Sequence, residues 1–99
     1  MKYKKSNLLE DLGLFVDTLI GDFVELFDLN QNEKKELVQC FIMELIREAN
    51  KEKTCLDEFV NHLFKKLHFL NVNTVTKEQI KDYLIKYQGD ISSCIFNIR

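Results

Sequence analysis

The chain has 99 residues, of which 45% are hydrophobic and 30% charged, with no proline and a net charge of −2. This length allows one domain and excludes a doubly wound nucleotide-binding fold or a barrel enzyme. The apolar content excludes a disordered chain, and the absence of proline favours helices over a turn-rich all-β fold. The net charge gives no bulk attraction to nucleic acid or acidic lipid.

Charge is unevenly distributed along the chain. Residues 1–5 contain three lysines and no acid, residues 6–33 contain seven acids and no base, and residues 34–99 contain eleven bases and nine acids. An acidic first third is therefore joined to a mildly basic remainder. We interpret the acidic segment as the solvated face of a helix.

Two amphipathic helices are predicted in the first half of the chain. Apolar residues recur every three or four positions from Asn7 to Phe27, which is the spacing of one helix face. Residues 28–32 break this pattern, and Asn30 with Glu33 forms a capping-box sequence that starts a second helix, ending near Asn50. The residues predicted to face inward are Leu8, Leu12, Phe15, Val16, Leu19, Phe23 and Phe27, then Val38, Phe41, Ile42, Leu45, Ile46 and Ala49.

Three shorter helices are predicted in the second half. Thr54 is predicted to cap the third helix, and a capping box from Thr76 to Gln79 starts the fourth. Gly89 is predicted to end the fourth helix in the left-handed C′ position, and Asp90 to cap the fifth. The inward-facing residues are Leu56, Phe59, Val60, Leu63, Phe64 and Leu67, then Ile80, Tyr83, Leu84 and Tyr87, then Ile91, Cys94, Ile95 and Ile98, with two valines anchoring loop 71–75.

These elements predict one all-α domain over residues 1–99, a compact bundle of about five helices. Residues 6–50 form its N-terminal helical pair and residues 54–99 its C-terminal three-helix part. No uninterrupted apolar run is long enough to span a bilayer, and acidic residues interrupt the stretch that a signal peptide would need. Cys40, Cys55 and Cys94 are odd in number and widely spaced, which predicts buried free thiols in a reducing, cytoplasmic or nuclear compartment.

Metal, cofactor and catalytic motifs are not found in the sequence. Residues 28–32 resemble the start of a calcium loop, but Glu33 and Gln39 stand where glycine and a bidentate glutamate are needed. His62 and His68 are six residues apart and lack the further ligands that structural zinc requires. No nucleophile elbow, phosphate-binding loop or metalloprotease motif is present. We therefore expect a protein that is not an enzyme and binds no cofactor or metal.

A weak basic patch offers one alternative function. Lys65, Lys66, Lys77 and Lys81, with two nearby histidines, give the third and fourth helices several cations. Such a patch is compatible with a helical nucleic-acid-binding module similar to PWI bundles in size and helix count. Nucleic-acid footprints are usually denser and lie in basic domains, so a solvated face is the favoured interpretation.

The segment Leu84-Ile85-Lys86-Tyr87-Gln88-Gly89-Asp90-Ile91-Ser92-Ser93-Cys94-Ile95-Phe96-Asn97-Ile98-Arg99 follows a pattern known from one family. With the helix that precedes it, it resembles a three-helix module of the UBA/CUE type over about residues 56–99. The resemblance implies ubiquitin as a candidate partner. The family's Met-Phe-Pro loop falls on His68, Phe69 and Leu70, and its terminal Leu-Leu on Ile98 and Arg99. Phe69 and Ile98 are retained in kind, whereas the methionine, the proline and the second leucine are not.

The leading functional hypothesis is a non-catalytic protein-interaction module. Its partner would bind an apolar patch formed by Phe69, Leu70, Phe96 and Ile98. Phe96 lies off the stripe of its helix, and packing against the N-terminal helices is the favoured explanation for it over exposure in a partner site. A homodimer that buries the first helix is a further alternative, motivated by the off-stripe Leu14 and Leu26.

Overall fold

The computed structural model describes the backbone of residues 5–98 and the side chains of residues 11–98. Five helices follow in chain order: α1 (Lys5–Leu26), α2 (Gln31–Ala49), α3 (Leu56–Phe69), α4 (Lys77–Ile85) and α5 (Gln88–Ile98). Residues 5–98 contain no strand. The predicted all-α bundle of about five helices is confirmed, and the helix bounds agree within a few residues. None of these helices has the length and apolar content needed to cross a membrane.

Local hydrogen bonding explains where α2 and α4 begin. The Asn30 side chain accepts from the Glu33 amide at 2.8 Å, and the Glu33 carboxylate accepts from the Asn30 amide at 2.9 Å. Thr76 and Gln79 form the same reciprocal pair, at 3.1 and 2.9 Å. Both predicted capping boxes are confirmed, and each satisfies two backbone donors that the start of a helix leaves unpaired.

The predicted cap of α3 is wrong. The N-cap residue is Cys55 rather than Thr54, and its side chain makes no capping bond within the described part of the chain. The Cys55 amide instead donates to the Glu48 carboxylate of α2 at 3.3 Å. A neighbouring helix therefore supplies the acceptor for this amide, and the sequence around residue 54 carries no sign of that.

The predicted junction between α4 and α5 is also wrong. Gly89 lies in the first turn of α5, and none of the described glycines has a positive φ. Lys86 ends α4 in a right-handed conformation, and the Tyr87 carbonyl accepts from the Ile91 amide at 2.8 Å. Asp90 is consequently a first-turn residue, where its charge favours the helix dipole, and not a cap. The left-handed positions are Asp28 (φ 56°) after α1 and Asn71 (φ 65°) after α3.

Helix α2 lies at the centre of the bundle. It packs against α1, α3 and α5, while α4 packs mainly on α3. Phe23, Phe41 and Phe59 are the largest fully buried side chains, and the Tyr83 hydroxyl donates to the Leu19 carbonyl of α1. The full set of buried hydrophobic residues is Leu12, Val16, Leu19, Ile20, Phe23, Val24, Leu37, Phe41, Leu45, Ala49, Phe59, Val60, Leu63, Leu67, Val72, Val75, Ile80, Tyr83, Leu84, Ile91 and Ile95.

Several burial predictions need correction. Ile46, predicted to face inward, is exposed. Leu37, which was not predicted to face inward, is fully buried. Phe96, predicted to pack against the N-terminal helices, is instead 76% exposed, because Ile91 and Ile95 form the buried face of α5 and Phe96 follows one residue later, off that face. Of the three free cysteines, Cys55 is exposed and the other two are half-buried.

Candidate functional site

The inner face of α2 carries two buried glutamates. Glu44 and Glu48 are 2% and 0% exposed, and they continue the stripe that starts with Leu37 and Phe41 at steps of four, three and four residues. Charged residues are almost never fully buried unless they are paired. The sequence interpretation missed both glutamates because it assigned the inward face from apolar residues alone, although the spacing from Leu37 was a usable signal.

Glu44 contacts α3 through a histidine and its own helix through an arginine. Its Oε1 accepts from Arg47 Nη1 at 2.8 Å and from His62 Nδ1 at 3.0 Å. His62 Nδ1 also lies 2.8 Å from the Glu58 carbonyl, and His62 Nε2 lies 3.1 Å from Arg47 Nη1. This pattern fits an imidazole that carries its proton on Nδ1 and accepts from Arg47 at Nε2. Both ring nitrogens of His62 are therefore engaged.

Glu48 connects α2 to the start of α3. Its Oε2 lies 3.0 Å from Lys51 Nζ, and its Oε1 accepts from the Cys55 amide. Lys51 also reaches Glu58 at 3.4 Å, so one ammonium joins both helices. Burial opposes ionisation of Glu48, but hydrogen bonds from Glu44, Lys51 and the Cys55 amide outweigh it and lower the Glu48 pKa.

Glu44 is the member of the pair that retains its proton more readily. Burial, followed by hydrogen bonding to Glu48, raises its pKa to about 7. As a carboxylate it would leave Oε2 buried with no hydrogen-bond partner among the described residues. A proton on Glu44 provides the missing donor, and the Glu48 carboxylate is the adjacent acceptor. The arrangement is a carboxylic acid hydrogen-bonded to a carboxylate, as occurs when two acids share one buried site.

Glu44, Glu58 and His62 also have the composition of a metal-ligand set. One ligand atom from each lies within 4.8 Å of the others, and Glu58 with His62 has the spacing of two residues on one helix face. However, Arg47 contacts both Glu44 and His62, and Lys51 contacts Glu58. These two cations supply the positive charge that a metal would bring. The geometry is that of a hydrogen-bonded ion network across the α2–α3 interface.

A groove lies directly outside this network. It has a volume of about 430 Å³ and runs between α2 and α3, and we call it the α2–α3 groove. Met43 on α2 and Phe69 on α3 are its exposed apolar residues, at 62% and 76% exposure. Lys66 lies 5.0 Å from the centre of the Phe69 ring and pairs with Glu36 at 3.1 Å. The complete lining is Glu36, Gln39, Cys40, Met43, Glu44, Arg47, His62, Lys65, Lys66 and Phe69.

The structure does not gather the four residues predicted to bind a partner into one patch. Leu70 and Ile98 are half-buried and pack against the core. Phe96 borders a separate depression that includes Thr54, just before α3, whereas Phe69 is the last residue of α3. A helix of this length spans about 20 Å, so the two exposed phenylalanines lie at opposite ends of α3. Only Phe69 faces the α2–α3 groove.

The cations predicted as a basic patch are interleaved with acids and rings. Lys66 pairs with Glu36, Lys81 lies 3.2 Å from Asp57, and Lys77 lies over the Phe64 ring at 5.3 Å. A nucleic-acid footprint needs cations that are free to neutralise phosphates. Two of the four predicted lysines, Lys66 and Lys81, are therefore ion-paired, Lys77 lies on a ring, and Lys65 is exposed, which favours a solvated surface over a dense cationic patch.

The resemblance to a UBA/CUE-type module stays a prediction. Its helix junction differs from the expected geometry at Gly89, and α5 packs mainly on α2, in the other half of the chain. No protein-family model, curated protein or solved structure matches the chain.

Proposed function

We propose that the chain is a non-catalytic protein-interaction domain that binds its partner in the α2–α3 groove. The observation that carries this proposal is the pair of large apolar side chains, Met43 and Phe69, exposed at the same groove. Methionine and aromatic residues are enriched at protein interfaces, and binding energy concentrates where such a residue fills a pocket. The surrounding charged residues supply the polar rim.

The walls of the groove are held in place before any partner binds. The Phe41 and Phe59 rings pack 5.0 Å apart behind it, and the Glu44–His62 contact ties the helices together beside it. A preformed site loses little conformational entropy on binding. This rigidity supports recognition by the groove.

A matched pair of variants tests the proposal. Phe69 and Phe96 are the same residue type with the same 76% exposure, but only Phe69 lines the groove. A photo-crosslinking amino acid at the exposed groove residue Gln39 should trap a partner in the source cells, and the same group at the exposed Glu25 of α1 should not. Phe69→Ala should reduce trapping strongly, whereas Phe96→Ala should leave it unchanged.

The results of this crosslinking experiment distinguish between the possible binding surfaces. Equal losses from the two variants would instead support a binding site that includes both Phe69 and Phe96, as in the patch predicted from the sequence. Trapping that is equal at Gln39 and Glu25, or absent at both, would contradict the groove proposal. Correct folding of each variant is checked by its circular dichroism spectrum and melting temperature.

Ubiquitin is a second candidate partner, favoured by the resemblance that places family contact positions on Phe69 and Ile98. The experiment is titration of the ¹⁵N-labelled chain with ubiquitin. Shifts centred on residues 68–70 and on the end of α5 would support this candidate. Absence of shifts at about millimolar ubiquitin, where weak complexes are detected, would eliminate it.

A homodimer is the remaining candidate, favoured by two exposed leucines on α1. Leu14 and Leu26 are 67% and 61% exposed. Sedimentation equilibrium tests it directly. A mass that rises with concentration and falls back in Leu14→Ser would support dimerisation through α1, and a monomer at every concentration would remove it.

A further inference from the structure

The chemistry of the α2–α3 groove points to one class of occupant, and this inference rests on the proposed function. Helices α2 and α3 run antiparallel along it, since Glu36 pairs with Lys66 at one end and Lys51 pairs with Glu58 at the other. On α2 the lining extends from Glu36 to Arg47. That length of helix rises about 17 Å, which matches three turns of a helix laid alongside.

The charges around the groove favour an acidic partner. Three cations line it, namely Arg47, Lys65 and Lys66, against two acids. Glu36 is already paired with Lys66, and Glu44 is buried beneath the groove surface, where it bonds Arg47 and His62. Cationic charge is therefore in excess at the groove surface. Lys65 is exposed and forms no ion pair with any residue that the structure describes.

Arg47 is positioned to receive a carboxylate. Its bonds to Glu44 and His62 both use Nη1, and its side chain is 49% exposed. A guanidinium has five N–H donors in a planar fork, so Nη2 and Nε are left for a group that enters the groove. Because Glu44 and His62 hold the fork in position, a partner carboxylate meets a donor that is already ordered.

Other modes of peptide recognition fit this groove less well. Strand addition needs an exposed sheet edge, and residues 5–98 form helices and loops only. Polyproline recognition needs several aromatic walls, and Phe69 is the only phenylalanine, tyrosine or tryptophan among the described residues that line the groove. A nucleic-acid backbone usually needs a denser set of cations than Arg47, Lys65 and Lys66 provide.

We propose that the occupant of the α2–α3 groove is an acidic amphipathic helix of about three turns. Its apolar stripe packs on Met43 and Phe69, and carboxylates at the edge of that stripe bind Arg47 and Lys65. This is the helix-in-groove mode of recognition, in which residues at successive turns serve as anchors. The cations at the edge of the groove therefore select the charge of the partner, and Met43 and Phe69 select the spacing of its apolar residues.

The test uses two designed helical peptides of about 14 residues, each with leucine at every third or fourth position. The remaining positions are mostly glutamate in one peptide and mostly lysine in the other. Binding to the full chain is measured by fluorescence anisotropy. The glutamate peptide should bind at least tenfold more tightly than the lysine peptide, and its affinity should fall as salt is raised to about 0.5 M.

Variants locate the binding surface. Lys65→Glu should weaken the glutamate peptide roughly fivefold and strengthen the lysine peptide. Lys35→Glu makes the same charge change at an exposed position of α2 outside the groove, and it should change neither affinity by more than about twofold. Phe69→Ala should weaken both peptides, because both carry the apolar stripe.

The outcomes distinguish this inference from the proposed function. If cellular trapping at Gln39 depends on Phe69 but neither peptide binds, or the lysine peptide binds more tightly, the groove is a binding site and the acidic-helix occupant is refuted. If trapping at Gln39 fails, the proposed function itself is refuted. Equal effects of Lys65→Glu and Lys35→Glu would place peptide binding outside the groove and would also overturn the inference.

Discussion

The two interfaces that α2 forms with its neighbours in sequence are built differently. Against α1 the buried contacts are apolar, and the charged contact is a surface pair in which Lys34 lies 3.4 Å from Asp17. Against α3 the apolar contacts are joined by Glu44 and Glu48, which are buried with a histidine and two cations around them. We therefore expect the stability of the α2–α3 interface to depend on pH more strongly than that of the α1–α2 interface.

The largest effect on stability is expected when the Glu48 carboxylate is removed from the α2–α3 interface. Glu48→Ala should lower the free energy of unfolding by about 3 kcal/mol, because it leaves the Cys55 amide and the Glu44 proton without their acceptor. Urea denaturation at neutral pH measures the change. A loss of less than about 1 kcal/mol would show that the Glu48 network contributes no more than a surface ion pair.

The pH dependence of stability should come from the α2–α3 interface. Glu44 has a pKa raised from 4.5 to about 7, so the stability it contributes is complete below about 4.5 and is lost as pH rises through 7. Between pH 5 and 8.5 the loss should be on the order of 2 kcal/mol. Glu48 acts in the opposite sense, since its pKa is lowered and its contribution is lost only in acid. Denaturation curves across this range that are flat, or that rise with pH, would contradict the protonated state of Glu44.

A variant with a smaller expected effect on stability tests the role of the Glu44 proton. Glu44→Gln keeps a donor toward Glu48 and an acceptor for Arg47 and His62, so its stability at pH 6 should lie within about 1 kcal/mol of the parent. Because glutamine does not titrate, the variant should lose the decline in stability that Glu44 causes between about pH 4.5 and 7. Retention of that decline would assign it to another group.

The smallest effect is expected at the α1–α2 interface. Asp17→Ala removes a partly exposed ion pair and should change the free energy of unfolding by about 0.5 kcal/mol or less, equally at pH 6 and pH 8. The same urea series provides the measurement. A pH-dependent effect at Asp17 would show that the two interfaces do not differ as proposed.

Features that depend on neighbouring residues in sequence were predictable, and features that depend on distant ones were not. The capping boxes at Asn30 and Thr76 involve residues three apart, and both are present as predicted. Gly89 was misassigned because the packing of α5 on α2 orients that helix without any left-handed residue at the junction. The residue type alone did not reveal this.

The candidate site was only partly visible in the sequence. Phe69 was predicted as a binding residue, and the structure places it at a groove. Met43, the other exposed apolar residue of the groove, was not predicted as a binding residue, because the pattern of one helix does not show which residues of another helix lie beside it. Glu44 was missed for a related reason. Its burial depends on Arg47 of its own helix and also on His62, which lies on α3 and far away in the sequence.

The carboxyl pair also determines how α3 can slide along α2. An interface made only of leucines and phenylalanines tolerates a shift of one helical turn, about 5.4 Å, because apolar contacts are exchanged for other apolar contacts. Here the same shift would separate Glu44 from His62 and Glu48 from the Cys55 amide, leaving two acids buried against apolar side chains. One register is therefore selected, and with it the distance from Met43 to Phe69, so the spacing that a partner must match is set by residues that the partner never touches.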